Sequence, residues 1–124
     1  MTTGYTLRPK QKPERLMDAI HEARIDAQSK QQFQALAASQ GLSMRAALTQ
    51  LVKQHAEVRE PFQELSKRSK TRRLGEPGHF TEMLPEVQVL SDVGLALRID
   101  ANRAGIRLAE AMRQLVWRCI QESH

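Results

Sequence analysis

Residues 23–52 read ARIDAQSKQQFQALAASQGLSMRAALTQLV. Residues 20–25, leading into this stretch, alternate in a way that marks a half-buried strand, with His21, Ala23 and Ile25 on one side and Ile20, Glu22 and Arg24 on the other. Apolar residues then recur at three- and four-residue steps, the signature of amphipathic helices. Asp26 suits the N-cap of the first helix, because its carboxylate can accept a hydrogen bond from a free first-turn amide. Phe33, Leu36 and Ala37 form that helix's stripe, and Gly41 suits the left-handed residue that ends it. Ser43 then opens a second helix whose face is Ala47, Leu48, Leu51, Val52 and Ala56.

The same plan returns at residues 87–116, VQVLSDVGLALRIDANRAGIRLAEAMRQLV. Ala37 matches Ala101, Gly41 matches Gly105, Ala47 matches Ala111 and Gln50-Leu51-Val52 matches Gln114-Leu115-Val116, each 64 positions on. The identities fall on the turn glycine and the buried face, which points to one unit duplicated in tandem. In the second copy Pro85 belongs at a strand start or edge, since it cannot donate a ladder bond. Asp92 is the expected N-cap, and Val93, Leu97, Ala101 and Ala104 form the stripe. Asp100 falls where the first copy has Leu36, so either the helix is rotated or that position is partly exposed. Leu108, Ala111, Met112, Leu115, Val116, Cys119 and Ile120 line the last helix, which places Cys119 in the core rather than as a nucleophile. Trp117 lies off that stripe, positioned to cover the connector or to meet another chain.

Four segments follow: an arm (1–17), a first unit (18–57), a connector (58–83) and a second unit (84–124). The arm carries Arg8, Lys10 and Lys12 among Pro9 and Pro13, which disfavour regular structure. It either lies along phosphates or serves as a solubilising tail. Within the connector, Phe62 and Leu65 can cover part of the core, and KRSKTRR at 67–73 supplies Lys67, Arg68, Lys70, Arg72 and Arg73. That run is either a solvated loop or a phosphate clamp.

The 124 residues carry a formal charge of +5 and a pI near 9.9, which favours a polyanionic partner, nucleic acid first. A single cysteine excludes an internal disulfide framework, and one Trp, one Tyr and three Phe leave an aliphatic core. No stretch approaches transmembrane length and no signal-peptide pattern opens the chain, so a cytoplasmic setting without membrane partners is expected. His21, His55, His79 and His124 lack metal-ligand spacing, and no nucleophile motif or Gly-rich phosphate loop is present. Neither catalysis nor a cofactor is expected.

Strand, helix, Gly-containing turn and helix, with Arg24-Ile25-Asp26, then Leu36-Ala37, then Gly41-Leu42-Ser43, resembles the ribbon-helix-helix DNA-binding family. The second copy is more degenerate, with Gln88-Val89-Leu90 in its strand and Arg107 where Ser43 stood. The resemblance implies a mainly α fold with a short antiparallel β-ribbon, two tandem units closing into an intramolecular pseudo-dimer. It places His21, Ala23, Ile25, Val87 and Val89 toward the core and Ile20, Glu22, Arg24, Leu84, Glu86 and Gln88 outward. A two-stranded ribbon fits the major groove of double-stranded DNA, where Arg24 can fork onto guanine and Gln88 can pair with adenine. Glu22 and Glu86 could accept from cytosine, yet they depart from the polar or basic residues usual there. They shift affinity toward the arm, the connector and the helix ends, where Ser43, Arg45 and Arg107 would meet phosphates. Tandem chains of this kind look like accessory factors of plasmid or T-DNA transfer, with a relaxase or other transfer protein as partner and a second copy alongside on DNA. Single-unit relatives are mostly repressors. The competing reading is a protein-interaction module that keeps the fold and only weak electrostatic DNA affinity.

Overall fold

The computed structural model describes residues 17–64 and 80–123. Among these the chain is mainly helical, with four helices and short antiparallel strand pairs. The order is β1 (Met17–Ile20), β2 (Ala23–Ile25), α1 (Ala27–Ser39), α2 (Met44–Val58), β3 (Glu82–Leu84), β4 (Val87–Leu90), α3 (Ser91–Arg103) and α4 (Leu108–Glu122). No helix is long and apolar enough to cross a membrane. Among the described residues, strand structure thus includes Met17, the last residue assigned to the arm, and Glu82 and Met83 within the expected connector.

β1 pairs antiparallel with β4, from Met17↔Leu90 to Ile20↔Val87, and β2 pairs antiparallel with β3, from Ala23↔Leu84 to Ile25↔Glu82. Partner numbers add to the same total in both sets, so the register never slips. The ladder is interrupted only at His21-Glu22 and Pro85-Glu86. Pro85 has no amide hydrogen to give, which accounts for a break there.

That break corrects the expected facing. Ile20 and Leu84, expected outward, are buried, whereas His21, expected in the core, is exposed. His21 and Glu22 both face solvent, so the alternation resets across them and Ile20 and Ala23 both point inward. The same reset occurs between Leu84 and Val87. Ala23, Ile25, Val87 and Val89 are core as expected.

The helices stand on this inner face, α1 against α4 and α2 against α3, with α2 also touching β4 and α4 touching β2. Asp26 and Ser43 cap as predicted, accepting from the Ser29 and Ala46 amides at 3.0 Å each. Asp92 does not: α3 starts at Ser91 without a side-chain cap, and the Asp92 carboxylate takes the adjacent Val93 amide. Gly41 and Gly105 are left-handed (φ 74° and 71°). In each turn the next residue's amide reaches back to the alanine four before the glycine, Leu42 to Ala37 (2.9 Å) and Ile106 to Ala101 (3.0 Å). The matched Ala and Gly positions of the two copies are therefore the two ends of one capping motif built twice.

Asp100 is buried rather than exposed, and it organises the exit from α2. Its carboxylate accepts two bonds from Arg59 (2.6 and 2.9 Å) and lies 2.8 Å from His55 Nε2. Arg59 ends α2 in the left-handed region (φ 58°), a conformation uncommon for a residue with a side chain. Phe62 then packs into the core and stacks on His55 at 4.7 Å, as its covering role anticipated. Leu65 lies outside the described residues. Trp117 is occupied within the chain, its indole N–H shared between Ser29 Oγ (3.0 Å) and Asp26 (3.3 Å), with Phe80 beside it. Cys119 is half-buried and burial pushes its thiol up, away from nucleophilic use.

Two outcomes follow from this packing. A Cβ on Gly94 would come within 2.7 Å of Asp18 Cγ, where β1 meets α3. Asp18 there receives a bidentate ion pair from Arg98 (2.9 and 2.8 Å), whose hydrogen bonds hold its carboxyl below the usual range. Gly94→Ala should therefore destabilise by about 1–3 kcal/mol by overpacking, although alanine is the better helix former. Asp18→Ala added to it should recover part of the loss in urea titrations.

The second outcome concerns pH. The Arg59 hydrogen bonds lower Asp100 to about 2, whereas burial lowers His55. Both groups bind protons more readily in the unfolded chain, so stability rises with pH across both windows. Urea midpoints should fall below about pH 6.5 as His55 begins to resist protonation, and fall again between about pH 4 and 2 as Asp100 titrates. Asp100→Asn should shrink the lower step without abolishing it, since Asp18 and Asp26 are also held below their ordinary values.

Candidate nucleic-acid interface

The outer face of the strand pairs carries the side chains the core rejects. On the β2–β3 side Arg24 stands opposite Met83, and on the β1–β4 side Gln88 stands opposite Ala19. Glu22 and Glu86 occupy the break between them. Glu22, Arg24 and Gln88 are exposed and Glu86 is half-buried, and Glu22, Glu86 and Gln88 line one recess, which Arg24 does not line. Among the described residues no carboxylate pairs with Arg24. Asp26, two residues along the chain from Arg24, is taken by its helix cap and by Trp117. Burial pushes the Asp26 carboxyl up, but bonds from Ser29 and Trp117 together bring it below its ordinary value.

Two helix starts flank this face. Arg45, in the first turn of α2, is exposed and donates through Nε to the Glu86 carbonyl at 3.0 Å. Arg107 precedes α4 and is exposed, with no side-chain cap at that helix start. Ser43 stands beside Arg45, but its hydroxyl oxygen already accepts from the Ala46 amide, so the side chain serves its own helix rather than an outside anion. Arg45, Thr49, Glu22, Glu86 and Gln88 enclose a recess of about 510 Å³. One guanidinium, one amide and two carboxylates there can read both donors and acceptors. Arg8, Lys10, Lys12, Lys67, Arg68, Lys70, Arg72 and Arg73 lie outside the described residues.

Sequence reasoning missed Arg113. It donates to the Arg24 carbonyl (2.8 Å), pairs with buried Glu110 (2.9 Å) and lies over the Phe80 ring at 4.5 Å. Arg45 and Arg113 thus do matching work, each tying the second helix of a pair to a backbone carbonyl, Glu86 in the break between β3 and β4 and Arg24 on β2. The signal was a basic residue beside the strongest apolar stripe, which reads as solvated surface until its strand partner is known. Exposed Met17, Met83 and Leu90 were also unassigned; Met17 and Leu90 form the last cross-strand pair of the β1–β4 ladder. Compared with protein-family models, curated proteins and solved structures, the chain gives no significant match.

Proposed function

We propose that this chain is a sequence-specific double-stranded DNA-binding protein, built as two tandem ribbon-helix-helix units closed into an intramolecular pseudo-dimer. The architecture is supported by the unslipped pairing of segments one repeat apart, by the twin helix-ending turns, and by the cross-packing of α1 on α4 and α2 on α3. The observation that carries the function is the outer row itself. Arg24 and its repeat partner Gln88 stand exposed on either side of the ribbon centre, flanked by helix starts bearing Arg45 and Arg107. A guanidinium forks onto guanine and a carboxamide pairs with adenine in the major groove, while helix N-termini with arginines suit the bordering phosphates. The chain has no catalytic role in this reading and works as an accessory factor in plasmid or T-DNA transfer, or as a repressor of transcription.

A second reading has its own observation. The ribbon centre holds two carboxylates, and Met17, Met83 and Leu90 are exposed on the strands, a composition suited to a protein surface as well as to a groove. In that reading the chain is an interaction module with weak electrostatic affinity for DNA.

Fluorescence anisotropy on duplexes selected from a random pool separates the two. Under the DNA reading, Arg24→Ala costs about 1–3 kcal/mol and blurs one position of the consensus. Replacing the basic residues of the 67–73 run weakens all duplexes alike and flattens the salt dependence. Selection without a consensus, with binding lost at moderate salt and indifferent to Arg24→Ala, would reject it in favour of the interaction module.

A further inference from the structure

After α2 the chain lays residues 59–63 as a strap across α3 and α4. Phe62 stacks on His55, and the Arg118 guanidinium sits over the Phe62 ring at 5.1 Å. Arg59 is held by Asp100. The Gln114 carboxamide grips the backbone of Gln63 at two points, accepting from its amide and donating to its carbonyl, both at 2.9 Å. Arg59, Pro61 and Phe62 also share the lining of one recess with Ala104. The strap is therefore received by His55, Asp100, Ala104, Gln114 and Arg118.

Each of these has a repeat partner 64 positions away: Cys119 for His55, Leu36 for Asp100, Gln40 for Ala104, Gln50 for Gln114 and Gln54 for Arg118. All five partners line one groove of about 330 Å³ between α1 and α2, open among the described residues. Exposure follows occupancy. Gln114 and Leu115 are buried, whereas Gln50 is exposed and Leu51 half-buried. The filled groove thus shows what its open twin accepts.

We infer that the α1–α2 groove docks an extended segment of a partner protein carrying an aromatic residue, an inference that rests on the pseudo-dimer reading above. The differences between the grooves define that segment. Leu36 in place of Asp100 calls for an apolar side chain where the strap has Arg59. Cys119 in place of the His55 ring offers a sulfur contact to the aromatic residue three positions on. Gln54 in place of Arg118 removes the cation from above the ring, and Gln50 keeps the carboxamide that grips a backbone. The segment is apolar-x-x-aromatic, extended and uncharged at both anchors. Recognition combines a main-chain grip with side-chain pockets, as in other extended-peptide sites.

The probe is a peptide spanning residues 59–64 with Leu in place of Arg59, titrated into the ¹⁵N-labelled full chain. Saturable amide shifts at Gln50, Leu51 and Cys119 are expected in the millimolar range typical of a short flexible ligand. Gln50→Ala in the protein, or Ala in place of the peptide's Phe, should weaken binding roughly tenfold. Shifts centred on Gln114 and Arg118 would mean that the peptide only displaces the strap, and would overturn the inference. So would the absence of saturable shifts, or shifts that neither change affects. Cross-strand contacts between Asp18 and Val89 in the same spectra report on the ribbon. If they are present while the groove stays silent, docking fails and the pseudo-dimer stands; if they are missing, the pseudo-dimer itself fails.

Discussion

Pairing of residues 17–25 with residues 82–90 is the constraint on which the rest of the molecule depends. It closes a long loop, and the entropic cost of closure grows only slowly with loop length. In return, Ile20, Ala23, Ile25, Leu84, Val87 and Val89 meet on one buried face, a floor that neither strand segment could make alone. The helices then have a surface to stand on. α1 buries Phe33 and Ala37, and α2 buries Leu48 and Val52, in one continuous cluster with Leu97, Met112 and Val116 from the far half of the chain. A core so poor in aromatic rings gains its stability from many small aliphatic contacts, and those exist only once the strands have brought the halves together.

Such a core tolerates polar groups only where each is answered. Asp100, His55, Glu110 and Gln114 are all buried, and all take part in placing the chain around the connector or the outer strands. An ionised carboxylate taken from water without partners is costly, and Asp100 meets that cost with two bonds from Arg59 and one contact with His55. The same bonds hold Arg59 in its left-handed conformation, so the helix end and the buried acid stabilise each other. Once the chain is turned at Arg59, Phe62 falls onto His55 and Gln63 onto Gln114. The connector is thus anchored by three contacts within five residues of the helix end.

Much of this was legible in the residues, for local reasons. Asp26 and Ser43 needed only their own helices to become caps, and Gly41 and Gly105 only their own turns. The helical stripes followed from period alone. What escaped depended on partners distant in sequence. Alternation over 20–25 predicted an unbroken strand, because the interruption is set by Pro85 on the other strand. Asp100 pointed either to a rotated helix or to a partly exposed position, because its partners Arg59 and His55 come from another helix. Arg113 and Trp117 depend on distant partners in the same way, the Arg24 carbonyl on β2 for the first and Asp26 and Ser29 at the start of α1 for the second. At the strands, Glu22, Arg24 and Gln88 are exposed and Glu86 half-buried, whereas Ile20 and Leu84, expected outward, are buried. The reset falls between the two sets, and residues on the far side of it keep their parity.

Charge on the outer face bears on how such a surface could work on DNA. Arg24 and Arg45 are balanced there by Glu22 and Glu86, so the ribbon contributes little net attraction to a polyanion. The chain's formal +5 must act from elsewhere on the molecule. On the DNA reading this separates the two tasks of a DNA-binding protein. Non-specific attraction falls to the basic surface and is screened by salt, whereas choice of sequence falls to a nearly neutral row of donors and acceptors. The repeat sharpens that choice, because Arg24 and Gln88 are counterparts with different preferences, and a pseudo-dimer carrying both reads unequal half-sites. A homodimer repeats the same residue on both halves of its ribbon. A chain that carries both halves is free to let the two differ, and the grooves beside α2 and α4 differ in the same way, one filled by the chain's own strap and the other open among the described residues.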